Sequence, residues 1–198
     1  MLKKLLATGI ILSSLLLGAC AADDNTAHDP AKEQDDATTE TEKGTVDTKT
    51  ALVNFHILLI DNFKDEYQTY TAYKDAVTAH ATAVAATEDA EVPAEEKPSA
   101  EEIAELEAAI GEAKTRAQGI ADASAEEIRN FEIPEELEEY NDEIKSALDD
   151  LAKFYEGVKA DVDNTEANEA LFTSFSDKMG SLFEKEELPA PNYTNALS

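Results

Sequence analysis

The chain has 198 residues, 44 Asp plus Glu against 16 Lys plus Arg, and a formal net charge of −28 at pH 7. Such a balance excludes nucleic acid, whose phosphates it repels, and disfavours direct adhesion to anionic lipid or anionic wall polymers. With one Cys, no Trp, seven Gly and abundant Ala and Glu, the composition suits helices held together by packing rather than by disulfides.

The chain opens on Lys3 and Lys4, followed by an apolar run from Leu5 to Leu17 that only Thr8, Gly9, Ser13 and Ser14 interrupt. A basic start, an apolar stretch and then small residues predict a secretory signal over residues 1–19. The run is too short for the ~20 residues that a spanning helix needs. Its last four residues, Leu17-Gly18-Ala19-Cys20, resemble the lipobox of bacterial lipoproteins. The resemblance covers only the first twenty residues. It implies that the Cys20 thiol receives a diacylglycerol and that cleavage before Cys20 makes it the mature N-terminus. It also implies attachment to the cell membrane on its extracytoplasmic face. Two acyl chains hold a protein firmly where one binds marginally, at about 0.8 kcal/mol per buried methylene. With its sulfur in a thioether, the mature chain would have no free thiol and no disulfide.

Residues 20–47 form the lipidated N-terminus and an acidic tether. Asp23, Asp24, Asp29, Glu33, Asp35, Asp36, Glu40, Glu42 and Asp47 stand against Lys32 and Lys43, and Val46 is the only large aliphatic residue after Cys20. Such a stretch cannot bury enough surface to offset its ordering entropy, so disorder is expected. A flexible chain of this length spans about 25–30 Å, enough to hold a domain off the membrane.

A long first helix is predicted from Asp47 or Thr48 to about Thr87. Its stripe is Leu52, His56, Leu59, Phe63, Tyr67, Tyr70, Val77, Ala81 and Val84, at three- and four-residue steps. Phe55, Ile57, Leu58, Leu59 and Ile60 point all round its beginning, which predicts a central helix buried on every side. A loop with Pro93 and Pro98 follows. Ser99 and Glu102 then form a capping box for a second helix over about 100–121, with Ile103, Leu106, Ile110, Ala113, Ala117 and Ile120 inward. Ser124 and Glu127 repeat that signal, predicting a short separate helical stretch that ends at Ile133-Pro134. A third helix from Pro134 to about Asp163 carries Leu137, Tyr140, Ile144, Leu148, Leu151, Tyr155, Val158 and Val162, close to a 3.5-residue repeat. A fourth, capped by Asn164 or Thr165, runs to about Lys185 with Leu171, Phe172, Phe175, Met179, Leu182 and Phe183. Pro189 and Pro191 end it.

No segment alternates as a strand does. The expected fold is all-α: an antiparallel three- to four-helix bundle with coiled-coil-like packing over 48–187, preceded by the disordered tether and followed by a flexible tail over 188–198.

Chemistry is sparse. His28, His56 and His80 show no metal-ligand spacing, so no metal or other cofactor is expected. Asp161-Val162-Asp163-Asn164-Thr165 opens like a calcium loop, but Glu166 stands where that loop needs Gly and Phe172 where it needs a bidentate Glu. There is no Gly-x-Ser-x-Gly turn and no phosphate-cradling glycine loop, so no catalytic residue is assigned. Tyr67, Tyr70 and Tyr73 have two readings: a core edge, or an aromatic partner surface for an envelope protein or a wall glycan. Phe172, Phe175 and Phe183 pose the same question. Three functions compete: a non-enzymatic lipoprotein that binds a partner or acts as a spacer, a divalent-cation-binding surface protein, and a cell-wall-acting enzyme. The oligomeric state stays open.

Overall fold

A computed structural model of the chain describes residues 47–198; the signal, Cys20 and nearly all of the tether lie outside them. Four long helices run antiparallel among the described residues: α1 (Thr48–Glu88), α2 (Ala100–Arg129), α3 (Asn141–Ala160) and α4 (Thr165–Lys185). A 3-10 turn (Glu135–Tyr140) precedes α3, and a short α5 (Tyr193–Leu197) closes the chain. The described residues contain no strand. The bundle is thus four-helical, which decides the open helix count.

Each boundary has a local cause. Asp47 Oδ1 accepts from the Thr50 N–H at 2.9 Å and starts α1. The threonines late in α1 do not break it. Thr78 and Thr82 turn their hydroxyls back onto the carbonyls of Lys74 and Thr78, each at 2.8 Å, so they do not compete for the helix N–H groups. At its end, Lys97 reaches back from the loop to the Thr87 carbonyl at 3.0 Å, where a cation complements the helix dipole. The Ser99–Glu102 capping box forms in both directions.

Three expectations need correction. Ser124 starts no new helix. Its hydroxyl donates to the Ile120 carbonyl at 3.0 Å inside α2, which continues to Arg129. The third helix does not begin at Pro134, because Leu137 leaves helical geometry and only the 3-10 turn precedes Asn141. The tail is not loose. Glu187 adopts the left-handed conformation (φ 56°), the Leu188 N–H bonds the Phe183 carbonyl at 2.8 Å and the Glu187 N–H bonds the Glu184 carbonyl at 3.0 Å. That is a Schellman ending built on Glu instead of Gly. It turns the chain back, so that Tyr193 and Leu197 are buried in the core.

The core is aromatic. Tyr67 of α1 stacks on Phe172 of α4 with ring centroids 4.5 Å apart, and Phe154 of α3 packs edge-on against Tyr70 at 5.0 Å. Tyr193 of α5 wedges between α1 and α4, 4.8 Å from the His56 ring and 4.6 Å from Phe175. Each such side chain, fully buried, contributes roughly 1.5–3 kcal/mol. Several bases join neighbouring helices: Lys185 pairs with Glu143 at 2.6 Å, Arg129 with Glu156 at 2.6 Å and Lys159 with Asp122 at 2.5 Å.

The first helix is not central. Val53, Ile57 and Leu58 are 37%, 48% and 47% exposed. In a four-helix bundle every helix is peripheral, so α1 keeps an outer face whatever residues occupy it.

Candidate interaction surface

The three tyrosines do not form a surface. Tyr67, Tyr70 and Tyr73 are only 6%, 2% and 3% exposed. Their rings fill the space between α1, α3 and α4, and Phe172, Phe175 and Phe183 are buried with them. The aromatic partner surface is thereby overturned: large rings at helical spacing are the cheapest way to fill a wide four-helix interior. Burial pushes the Tyr70 phenol above its ordinary range, and the Glu169 carboxylate adds to this.

Tyr73 marks the upper edge of the body. Its hydroxyl donates to Asp163, whose other carboxylate oxygen pairs with Lys114 of α2. One carboxylate in the α3–α4 turn therefore ties α1 and α2 to the other two helices, and Lys74 pairs with Glu169 beside it. Burial first, then the bond to Asp163, pushes the Tyr73 phenol up to about 12. The bonds from Lys114 and Tyr73 hold the Asp163 carboxyl below its usual range. Both Asp163 oxygens already have partners, so the Asp161–Asp163 pair gives no support to cation binding. Among the described residues no three His, Cys, Asp or Glu side chains converge as a metal site.

A second polar cluster joins α3 to α4. The Lys178 ammonium donates to Ser146 Oγ at 2.9 Å and pairs with Asp150 at 2.5 Å, while the Ser174 hydroxyl donates to Asp150 at 2.6 Å. A serine beside a lysine invites a nucleophile–base reading. The charges argue against it here. Burial raises the Asp150 pKa, but the bonds from Lys178 and Ser174 outweigh it and leave that pKa lowered. Lys178 Nζ is already shared among the Asp150 carboxylate and the Ser146 carbonyl and hydroxyl, which is the geometry of a tie between helices and not of a base poised over a serine. The cluster fastens two helices. The groove at the other end of the body, about 450 Å³, is lined by Arg129, Phe131, Ile133, Lys145 and Asp149 among others, and Arg129 is already paired with Glu156.

What remains is an arm. Above Tyr73, α1 and α2 continue without α3 or α4 beside them, since α3 ends at Ala160 and α4 begins at Thr165, level with Tyr73 and Lys114. No residue from Lys74 to Arg116 is buried. The arm runs about 20 Å past the body at 1.5 Å per residue. The apolar side chains along its two helices, Val84, Ile103, Leu106 and Ile110, are all only partly covered. The two helices differ in chemistry. From Ala76 to Thr87, α1 carries no Asp, Glu, Lys or Arg, and mostly Ala and Thr. From Ala100 to Ala113, α2 carries Glu101, Glu102, Glu105, Glu107 and Glu112 and no base. Val77, Ala81 and Val84 continue the apolar stripe of α1, yet Val77 is 37% exposed and Ala81 is exposed, because there is no third helix to cover them. The drop from Phe and Tyr to Ala and Thr after Tyr73 is the signal that marks this region in the sequence.

Compared with protein-family models, curated proteins and solved structures, the chain matches none. The described residues form an all-α, antiparallel four-helix bundle with a projecting two-helix arm.

Proposed function

We propose that this protein is a lipoprotein anchored to the extracytoplasmic face of the cell membrane, and that it presents an acidic helical bundle as a binding or spacer module without catalysis. The observation that carries the reading is the placement of the arm. A chain anchored at Cys20 joins the bundle at Asp47, at the start of α1, whose 41 residues reach about 60 Å at 1.5 Å each. The arm tip therefore lies at the opposite end of α1 from Asp47. A tether, a rigid body and a distal arm, in that order, suit a device that holds a surface away from a membrane. The Ser146–Lys178 and Asp161–Asp163 clusters, the nearest approaches to a catalytic or cation site, are occupied by their own ion pairs.

The test is growth of the native cells with labelled fatty acid, followed by fractionation and mass spectrometry of the mature N-terminus. The expected result is a labelled, membrane-bound chain beginning at Cys20, with Cys20→Ala unlabelled and released from membranes. A Cys20→Ala chain that stays membrane-bound, or a parent chain without lipid, would sink the anchoring half of the proposal.

A further inference from the structure

Residues 188–198 form a strap with few holds. The Tyr140 hydroxyl donates to Glu186, and the chain then turns through Glu187 (φ 56°), a left-handed conformation that strains any residue with a Cβ. Beyond this hinge the strap has two fully buried side chains, Tyr193 and Leu197. At five residues, α5 is too short to hold helical form by itself. Tyr193 enters between α1 and α4, where its ring meets His56 at 4.8 Å and Phe175 at 4.6 Å.

This contact leaves polar atoms stranded. Six buried side-chain polar atoms among the described residues have no hydrogen-bond partner, and His56 Nδ1 and the Tyr193 hydroxyl are two of them. A third, Ser176 Oγ, belongs to the groove between α4 and the strap, which Tyr193 and Thr194 also line. Each gives up water on closure without a replacement bond. A strap with two buried anchors, a strained hinge and stranded polar atoms opens more easily than the core beneath it. His56 makes closure sensitive to acid. Its ring also packs on Phe183 of α4 at 5.6 Å. A protonated imidazole donates from both nitrogens, and the buried Nδ1 has no acceptor. The titratable groups on the surrounding elements are engaged elsewhere or face water: Lys49 of α1 pairs with Glu187, Lys185 of α4 with Glu143, Glu186 accepts from Tyr140, and Glu184 is exposed. Burial holds the Tyr193 phenol above its ordinary range, and burial alone lowers the His56 pKa.

We infer that residues 188–198 are an acid-released strap: protonation of His56 expels Tyr193 from between α1 and α4 and opens the cleft that holds Phe175. The sign follows from where the proton is tolerated. With the strap open, His56 meets water and titrates at its ordinary value, about 6.5. With the strap closed, burial holds it lower. Opening is therefore favoured as pH falls through that ordinary value, by up to about tenfold per pH unit. The device depends on neither the anchor nor the arm.

The test is hydrogen exchange read by mass spectrometry on the full chain in detergent, at pH 7.5 and pH 5.5, with each rate divided by the intrinsic rate at that pH. Residues 188–198 should be less protected than residues 144–158 of α3 at both pH values, which marks opening without unfolding of the body. Their protection should fall by up to about tenfold between pH 7.5 and pH 5.5. His56→Phe cannot titrate, and His56→Gln replaces it if a thermal melt shows that the first variant does not fold. In that variant the strap should be equally protected at both pH values. His80 of the arm remains in every variant and controls for general effects of acid. Tyr193→Phe removes one stranded hydroxyl and should raise strap protection. Strap protection equal to that of α3 would overturn the inference, because the strap would then open only with the whole body. So would a parent strap indifferent to pH, or a fall that persists without the imidazole. Equal or faster strap exchange in Tyr193→Phe would overturn it too, since the hydroxyl would then cost the closed state nothing. None of these outcomes bears on the lipidation experiment, and the reverse also holds.

Discussion

Gly157 lies where α3 meets α4, and a Cβ added there would overlap the side-chain oxygen of buried Asn168. That amide is not free to move, since its N–H donates to the Asp161 carbonyl at 3.1 Å. Overpacking of this kind costs about 1–3 kcal/mol, against about 1 kcal/mol that Ala gains over Gly in a helix. Gly157→Ala is therefore expected to lower the urea midpoint at unchanged m. Gly111→Ala or Gly119→Ala, with open space around the added carbon, should raise it. Glu187 is the opposite case. Its left-handed backbone strains any residue with a Cβ, so Glu187→Gly should stabilise by about 0.5–1 kcal/mol, read by the same titration. The weak surface pair it forms with Lys49, at 3.8 Å, contributes little. His56 sets a pH dependence. Burial lowers its pKa, and its ring packs between Phe183 and Tyr193 with Nδ1 unpartnered. The unfolded chain takes up that proton first, so the folded state loses stability as pH falls below the ordinary histidine value, about 6.5. In melts between pH 7 and pH 5, His56→Phe should lose less stability than the parent. Equal losses would mean that this ring does not titrate as argued.

At the scale of elements, the molecule has two kinds of helix pair. In the body, α3 buries Ile144, Leu148, Leu151, Phe154, Tyr155 and Val158 along its whole length. In the arm, α1 and α2 bury nothing. Regions with few buried apolar contacts open locally at lower free energy than the core. Amides of residues 75–88 and 100–113 should thus exchange with deuterium well before those of α3, which should exchange only on global unfolding. Uniform protection across both regions would show that the arm is stiffer than its packing allows. The arm was only half-legible in the sequence. Both of its helices were, because Ala76–Thr87 and Ala100–Ala113 keep helical formers and a cap. That nothing lies beside them was not, because it depends on where α3 ends and α4 begins, and those boundaries are set by the Asp163 turn docking on Tyr73 and Lys114.

For the whole molecule, charge is the dominant global force. Six bases are committed to acids across helix junctions, and 44 acids face 16 bases in the chain. Most acids therefore repel one another across the surface. Screening falls to a Debye length of about 3 Å at 1 M salt. Added NaCl should raise the melting temperature, by about 2–4 °C for each kcal/mol of repulsion removed. A melting temperature that falls with salt would mean that the junction ion pairs outweigh the repulsion.

The sequence alone determined that the chain is helical, roughly where its long helices lie apart from the end of α2 and the start of α3, and much of what points inward over the body, while it left the choice between three and four helices open. Apolar periodicity and capping are local, and Leu52, Phe63, Ile144, Leu151, Phe175 and Leu182 carry them without ambiguity. It also holds the Leu17–Cys20 signal, outside the described residues. Only the tertiary structure decided that Tyr67, Tyr70 and Tyr73 are core, that Ile57 and Leu58 face water, that residues 188–198 return to the bundle, and that α1 and α2 outrun it. A periodic pattern says which side of a helix is apolar. It does not say how many neighbours will cover that side, because this depends on helix lengths and turns elsewhere in the chain. Covered by three helices, the stripe of α1 is a core, and covered by one it is a surface.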